Sequence, residues 1–168
     1  MILIYTGNGK GKSSASCGQA LRALGRGMRV AFAQFMKQDG KGGEQVMLAK
    51  LLQENFLAGG KGFFMKQEQF PAHRAAAREV LAWVAAKIPG LDLLVLDEAL
   101  YALNSGLITK DELEKITAFF AGDGKPVLVL SGRGLPDWLR EEAHLVTEMQ
   151  EIKHPYAQGI PAQTGVDF

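Results

Sequence analysis

Residues Thr6-Gly7-Asn8-Gly9-Lys10-Gly11-Lys12-Ser13-Ser14 decide the fold, because they join a short apolar run (residues 2–5) to a helical pattern. Glycines let successive backbone amides point into one concavity, and the start of the following helix adds partial positive charge there. In such a loop Lys12 is expected to reach the outer phosphates of a nucleotide, and the Ser13 hydroxyl is expected to complete a Mg²⁺ shell. The strict motif has glycine where this chain has Thr6, yet strand, loop and helix occur in the required order. The alternative is a glycine-rich turn with incidental lysines.

Strand-like and helical patterns alternate along the chain. Strand-like apolar runs occupy residues 2–5, 30–35, 93–96, 127–130 and 145–149. Four of them are almost unbroken hydrophobic, as strands covered on both faces are. Apolar stripes at helical spacing lie between them: Cys17, Ala20, Leu21 and Leu24; Ala77, Val80, Leu81, Val84 and Ile88; Leu113, Ile116 and Phe120. The alternation predicts one α/β domain over residues 1–168, P-loop NTPase-like (RecA-like), with a mostly parallel sheet flanked by helices.

Local signals predict one further helix and describe two of these helices more fully. Residues 44–56 form a predicted helix between two glycine clusters. Residues 109–112 read Thr-Lys-Asp-Glu, a capping box that starts a helix. The Ala/Arg-rich residues 72–87 predict a core helix with a solvated basic face, not a nucleic-acid binder.

An acid pair ends the third strand-like run, at Asp97 and Glu98. In a parallel sheet, ligands bind beyond the carboxyl ends of strands. Asp97 is therefore expected to hold Mg²⁺ directly or through water, with Glu98 joining it or orienting a water. The alternative for Asp97 is a helix N-cap of residues 99–104.

Composition sets the class of protein. The chain has 168 residues, is 47% apolar and carries a formal charge of +1, so nothing attracts it generally to nucleic acid or to an anionic membrane. No apolar run approaches the roughly 18 residues of a membrane span. A single cysteine, Cys17, fits a reducing compartment. Met1 is followed directly by the first apolar run, without the basic leader and apolar h-region of a signal peptide. We therefore expect a soluble cytoplasmic protein in which Cys17 is inert packing.

Four other polar residues bear on the prediction of a site. Arg133 lies in a Ser-Gly-Arg-Gly turn after a buried strand, where a charge-assisted donor meets phosphate. His154 either faces a ligand or makes a structural hydrogen bond. His73 and His144 lack metal-ligand spacing, so both are predicted to lie on the surface.

The motifs together resemble the P-loop type of ATP:cob(I)alamin adenosyltransferase. The similarity is carried by residues 7–14, 33–37, 95–98, 130–134 and 145–149, and most specifically by the tail at 153–159 and 162–168. The resemblance implies that Co(I) of a reduced corrinoid, either cobalamin or cobyrinic acid a,c-diamide, attacks the 5′ carbon of ATP and expels triphosphate. It also implies Mg²⁺, an external electron donor such as a flavoprotein reductase, and a homodimer.

Lys12, Glu98 and Arg133, which the motifs bring to the site, are expected to be catalytic. The resemblance assigns further residues. Arg22 corresponds to an arginine near the nucleotide, with a solvent-facing helix arginine as the alternative. The corrinoid is expected to meet His154 and the apolar wall formed by Phe63, Phe64 and Met65, in which Met65 stands where tryptophan is usual. A short buried strand edge is the alternative for that wall.

Two other functions compete with adenosyl transfer. A generic P-loop ATPase or small-molecule kinase would release phosphate or transfer it. A non-catalytic corrinoid chaperone or nucleotide sensor would bind ATP without forming triphosphate.

Overall fold

A computed structural model describes residues 1–63, 66–122, 124 and 126–167. Its six strands form one parallel sheet in the order β3-β2-β4-β5-β1-β6. The strands are β1 (Ile2–Thr6), β2 (Val30–Gln34), β3 (Phe56–Ala58), β4 (Leu93–Asp97), β5 (Val127–Ser131) and β6 (Leu145–Glu148). The helices are α1 (Lys12–Leu24), α2 (Gly43–Leu52), α3 (Phe70–Lys87), α4 (Ala99–Asn104), α5 (Lys110–Phe120) and α6 (Asp137–Glu142). The predicted α/β class with a parallel sheet is confirmed.

Strand β3 and helix α6 are elements that the sequence pattern did not predict. The predicted helix over residues 44–56 ends at Leu52, and Gln53 takes a left-handed backbone with φ 52°. The chain then turns and Phe56 pairs with Phe32 of β2. Three residues at a half-buried sheet edge carry too little periodicity to be recognised as a strand.

The helices cover both faces of the sheet. Helices α1 and α2 pack on one face, where Ala20, Phe32 and Leu48 are buried, and α3 to α6 supply the larger core on the other. The stripes of α3 and α5 are confirmed except at Leu81, which is half-buried.

The buried face of α1 differs from the predicted stripe. Ser16, Ala20 and Ala23 are buried, whereas Leu21 is 61% exposed and Cys17 is half-buried. Ser16 tolerates burial because its hydroxyl donates to the Lys12 carbonyl at 3.0 Å, one turn earlier. A pattern that treats serine as polar therefore selects the wrong face.

The prediction that His73 lies on the surface is wrong. Its side chain is 7% exposed, because the buried stripe of α3 extends back through Ala76 and Ala77 to the first turn of the helix. His144 is exposed, as predicted, and its Nδ1 accepts from the Ile2 backbone N–H at 3.1 Å.

The predicted capping box at the start of α5 is confirmed. The Thr109 hydroxyl accepts from the Glu112 N–H at 3.3 Å, and Glu112 Oε2 accepts from the Thr109 N–H at 2.8 Å. Arg74 of α3 grips the same carboxylate through both terminal nitrogens, at 2.9 and 2.8 Å. Hydrogen bonds from Arg74 and Thr109 lower the pKa of Glu112 from 4.5 to about 2.

We expect Glu112→Gln to lower the free energy of unfolding by about 1 kcal/mol at neutral pH, a value reduced for solvent screening. Folding favours the ionised carboxylate, so this contribution is present above pH 4.5 and is lost as pH falls toward 2. Urea unfolding of both proteins across that range measures the change. Glu114→Gln, which removes the exposed pair with Lys110, is the control and should change little. A difference that stays constant down to pH 2 would contradict the assignment.

In the described residues, no helix combines the length and the apolar character that crossing a membrane requires.

Candidate functional site

Four strands end in buried polar residues at one edge of the sheet. These are Thr6 of β1, Gln34 of β2, Asp97 of β4 and Ser131 of β5. Beyond this edge lies a cavity of about 800 Å³. It is lined by Asn8, Gly9, Lys10, Gly11, Lys12, Ser13, Ser14, Cys17, Lys37, Gly43, Glu44, Phe63, Glu98, Arg133, His154, Gly165, Val166 and Asp167. The cavity therefore brings together most of the residues that the sequence predicted for the site.

The glycine-rich loop bends into α1 at Gly11, whose φ of 116° favours glycine. Lys12 follows as the first helical residue and donates from Nζ to the Gly9 carbonyl at 2.6 Å. Burial and the nearby Arg133 cation lower the pKa of Lys12. This ammonium lies where an anion would relieve its repulsion from Arg133.

The segment after β6 passes directly over the loop. The Gly9 N–H donates to the Met149 carbonyl at 2.7 Å, and the Met149 N–H donates to the Thr6 carbonyl at 2.9 Å. A Cβ on Gly7 would stand 2.4 Å from the Met149 oxygen, and one on Gly9 would stand 2.7 Å from backbone atoms of Gln150. Gly7 and Gly9 are thus required by chain packing, a contact that the local motif does not reveal.

We expect Gly7→Ala to destabilise the fold by about 2 kcal/mol or more, because a φ of 99° and a backbone clash both oppose the methyl group. Gly18→Ala is the matched control, since nothing lies within 4 Å of its Cβ position in the middle of α1. That change should stabilise the protein by about 0.5–1 kcal/mol. Thermal unfolding measures both variants, and equal melting temperatures would contradict the packing account.

Asp97 is completely buried beneath the loop. Its Oδ1 accepts from the Ser13 hydroxyl at 2.9 Å and from the Ser131 hydroxyl at 2.6 Å. Its Oδ2 accepts from the Gln34 amide at 3.1 Å. The alternative role as a helix N-cap is wrong, because Glu98 occupies the position before α4 and makes no side-chain cap. Asp97 instead links α1, β2 and β5 behind the cavity.

Glu98 carries the most unusual carboxylate of the site. Its backbone is left-handed, with φ 59°, and its N–H donates to the Ser131 hydroxyl at 2.9 Å. Among the residues that the structure describes, its Oε2 is buried without a hydrogen-bond partner. Burial and the neighbouring Asp97 raise the pKa of Glu98 to about 7. A strained backbone and an orphaned oxygen at a cavity wall are typical of a ligand-binding group.

Lys37 and Glu44 complete one wall, and the sequence analysis did not assign either to the site. Lys37 Nζ lies 2.5 Å from Glu44 Oε1 and 3.6 Å from Asp97 Oδ2. Burial alone would lower the pKa of Lys37, but Asp97 and Glu44 raise it, so the ammonium stays charged. The signal that identifies Lys37 is its position just beyond the carboxyl end of β2, the same rule that selected Asp97.

The two predicted arginines differ in position. Arg133 lines the cavity and donates from Nη2 to the Asn8 carbonyl at 3.2 Å. Arg22 is exposed on α1, does not line the cavity and donates to the Gln19 side chain at 3.4 Å. The structure therefore brings Arg133 to the loop but leaves Arg22 facing solvent.

Phe63 is an exposed aromatic group at the cavity. Its side chain is 63% exposed, which excludes the alternative of a buried strand edge for this residue. Its ring meets the Tyr101 ring edge-on, with centroids 5.2 Å apart. The other two residues of the predicted wall, Phe64 and Met65, lie outside the described residues.

The C-terminal segment closes another side of the cavity. His154 lines it while its Nδ1 accepts from the Tyr156 N–H at 3.2 Å, so the structural hydrogen bond and the exposure to the cavity coexist. Asp167 forms an ion pair with Lys10 of the glycine-rich loop. The family resemblance includes this tail, but it does not predict the pairing.

The donors around Ser13 and Glu98 are oxygen atoms, which suit Mg²⁺. Within the described part of the chain, no three histidine, cysteine, aspartate or glutamate side chains form a metal cluster. A cation here would therefore take few protein ligands and complete its shell with phosphate oxygens and water, as Mg²⁺ does at nucleotide sites. The orphaned Glu98 oxygen is the observation that fits such an ion.

Comparison with known proteins gives one consistent result. Residues 1–168 match the family described as ATP:corrinoid adenosyltransferase BtuR/CobO/CobP. The chain is 37% identical over 174 residues to the corrinoid adenosyltransferase of Pseudomonas aeruginosa, covering 100% of this chain and 83% of that protein. It is 34% identical over 172 residues to the corrinoid adenosyltransferase CobA of Salmonella typhimurium, covering 100% and 85%.

Solved structures share the fold, and one of them is a flagellar accessory protein. The flagellar accessory protein FlaH of Methanocaldococcus jannaschii aligns with a TM-score of 0.51 at 16% identity, covering 88% of this chain and 69% of that chain. At this identity the likeness concerns the fold alone.

Proposed function

This chain belongs to the ATP:corrinoid adenosyltransferase family and transfers an adenosyl group from ATP to a corrinoid, and we propose that it does so in the cavity at the carboxyl edge of its sheet. One observation carries the placement. The glycine-rich loop, with Lys12 and Ser13 at its end, faces the same cavity as the exposed ring of Phe63. A cationic loop suits the triphosphate and a flat apolar ring suits the corrinoid macrocycle, so both substrates meet in one space.

The reaction transfers the adenosyl group and leaves the triphosphate intact. The electron pair of Co(I) attacks the 5′ carbon of ATP, the C5′–O bond breaks, and the triphosphate leaves with that bonding pair. Negative charge therefore grows on the triphosphate in the transition state. Lys12 and Arg133 are placed to stabilise it, which is the largest contribution that a preorganised site usually makes.

Mg²⁺ is the proposed cation of the site. The Ser13 hydroxyl and the Glu98 carboxylate would hold it, with buried Asp97 fixing the Ser13 hydroxyl from behind. When bound, the ion neutralises part of the phosphate charge. The Glu98 carboxylate would supply negative charge to that ion, which would account for a carboxylate held at the cavity wall without a hydrogen-bond partner among the described residues.

The corrinoid end of the cavity is assigned to Phe63 and His154, and the adjacent Phe64 and Met65 are proposed to extend it. Support comes from the exposure of Phe63 and from the position of His154 in the lining. The substrate is proposed to be cobalamin or its precursor cobyrinic acid a,c-diamide, reduced by an external donor such as a flavoprotein. Burial and the nearby Asp97 raise the pKa of Cys17 to about 12, which supports an external reductant over thiol chemistry at the site.

We further propose that the protein acts in the cytoplasm as a homodimer of single-domain chains. The lone cysteine of the sequence supports a reducing compartment, and the single sheet with one core on each face supports one domain.

The phosphorus product separates this proposal from the main alternative. We expect anaerobic incubation with Mg-ATP and chemically reduced corrinoid to give one triphosphate per ATP consumed, measured by ³¹P NMR. An ATPase or kinase gives ADP, with phosphate either free or transferred. ADP formation at the same rate with and without corrinoid would overturn the proposed mechanism in favour of that alternative.

A further inference from the structure

The turn at residues 131–134 lies closely against α4. Gly132 has φ 139°, and a Cβ there would stand 2.8 Å from Leu100 Cβ and 2.9 Å from the Tyr101 nitrogen. Gly134 has φ 75°, and a Cβ there would stand 2.4 Å from the Asn104 amide nitrogen. Both glycines therefore permit contact with one short helix, and α4 sets the path of the turn that carries Arg133.

Asn104 holds this turn with a single side-chain amide. Its Nδ2 donates to the carbonyl of Arg133 at 2.8 Å and to the carbonyl of Gly134 at 2.8 Å. An amide NH₂ has two protons, so both are used on successive peptide groups of another element. Asn104 is exposed and at the end of its helix, so these bonds fix a loop and add little to the core.

The backbone of Arg133 is held by Asn104, and the guanidinium of the same residue contacts the glycine-rich loop. Its Nη2 donates to the Asn8 carbonyl at 3.2 Å, and the side chain lines the cavity. An exposed arginine has many rotamers, so the position of its backbone decides which part of the cavity it can reach. The Asn104 amide holds the Arg133 carbonyl, and the glycines on either side allow α4 to approach that closely.

We propose that Asn104 is a positioning residue for Arg133. It holds the backbone of the turn so that the guanidinium meets the triphosphate as the C5′–O bond breaks. The inference rests on the proposed role of Arg133 in adenosyl transfer.

A double-mutant cycle tests the proposal in the full-length enzyme. Arg133→Ala should lower kcat/KM for ATP on the order of 100-fold, as loss of an electrostatic donor does. Asn104→Ala should lower it about tenfold, as loss of a positioning hydrogen bond does. The double variant should equal Arg133→Ala within about twofold, because Asn104 acts only through that side chain. The inhibition constant of inorganic triphosphate should rise in Asn104→Ala as well.

Ser105→Ala is the matched control. Its hydroxyl donates to the Tyr101 and Ala102 carbonyls of its own helix, at 2.7 and 3.3 Å, so the change should leave kcat/KM unaltered. Effects of Asn104→Ala and Arg133→Ala that multiply in the double variant would overturn the proposal, because they would show that Asn104 acts independently of Arg133. Normal activity in Asn104→Ala beside impaired Arg133→Ala would overturn it too. Normal activity in Arg133→Ala would instead show that the proposed role of Arg133 is wrong, and the inference would fall with it.

Discussion

Lys12→Ala is expected to lower kcat/KM on the order of 100-fold or more, which corresponds to about 3 kcal/mol of transition-state stabilisation. The ammonium lies at the junction of the glycine-rich loop and α1 and is held by the Gly9 carbonyl at 2.6 Å. Burial and Arg133 lower the pKa of Lys12, so the protein alone disfavours the charged ammonium. A bound polyanion stabilises that charge. The triphosphate gains negative charge as it departs, so removal of Lys12 acts on the chemical step.

Single-turnover alkylation of Co(I), followed by loss of its absorbance, measures this effect. Lys50→Ala, an exposed lysine on α2 that does not line the cavity, is the control and should retain full activity. If the turnover of Lys12→Ala were close to that of the control, at saturating ATP and at low ATP alike, the assignment of the nucleotide to this loop would be wrong.

Phe63→Ala is expected to lower activity strongly in one assay of the enzyme and to change it little in another. Reactions that start from Co(II) with a biological reductant should fall about tenfold or more, since removing a large apolar contact costs about 1–3 kcal/mol. The rate of reactions supplied with chemically formed Co(I) should change by about twofold or less, because the groups that bind the triphosphate are unchanged. The reason is the exposed position of the ring, which is 63% accessible at the cavity and packs edge-on against Tyr101. In the proposed arrangement, an apolar wall there would exclude water from the metal and so assist its reduction.

Phe119→Ala is the control for this prediction, because Phe119 is an exposed aromatic residue of α5 that does not line the cavity. ATP affinity should be unchanged in both variants. If Phe63→Ala lost both activities equally and melted at a lower temperature, the ring would have a structural role and the corrinoid would bind elsewhere.

Local patterns predicted the elements that meet at the site. The loop at residues 6–14, the acid pair Asp97 and Glu98, and Arg133 each follow a strand end. In a parallel sheet those ends share one edge, so sequence order alone was enough to place them together. The sequence could not distinguish the two acids, because only three-dimensional packing shows that Asp97 is satisfied by Ser13, Ser131 and Gln34 while Glu98 is not.

Some of the features that the sequence did not predict depend on contacts between distant segments. Met149 explains the glycines at 7 and 9, and Asn104 explains Gly134, but neither residue belongs to the motif that it shapes. The buried face of α1 was misplaced because the Ser16 hydroxyl is satisfied within its own helix, which hydrophobic spacing cannot register. His73 was misplaced for a related reason, since a histidine at the start of α3 continues an apolar stripe.

The destination of the adenosyl group tests the central claim most directly. ATP labelled with ¹⁴C in the adenosine portion is incubated anaerobically with the enzyme, Mg²⁺ and chemically reduced cobalamin, and the corrinoid is then separated from nucleotides. The account predicts label on the corrinoid in a light-sensitive cobalt–carbon bond, with one unlabelled triphosphate for each labelled corrinoid. Label that stays entirely in ADP or AMP, with no labelled corrinoid formed while ATP is consumed, would contradict it.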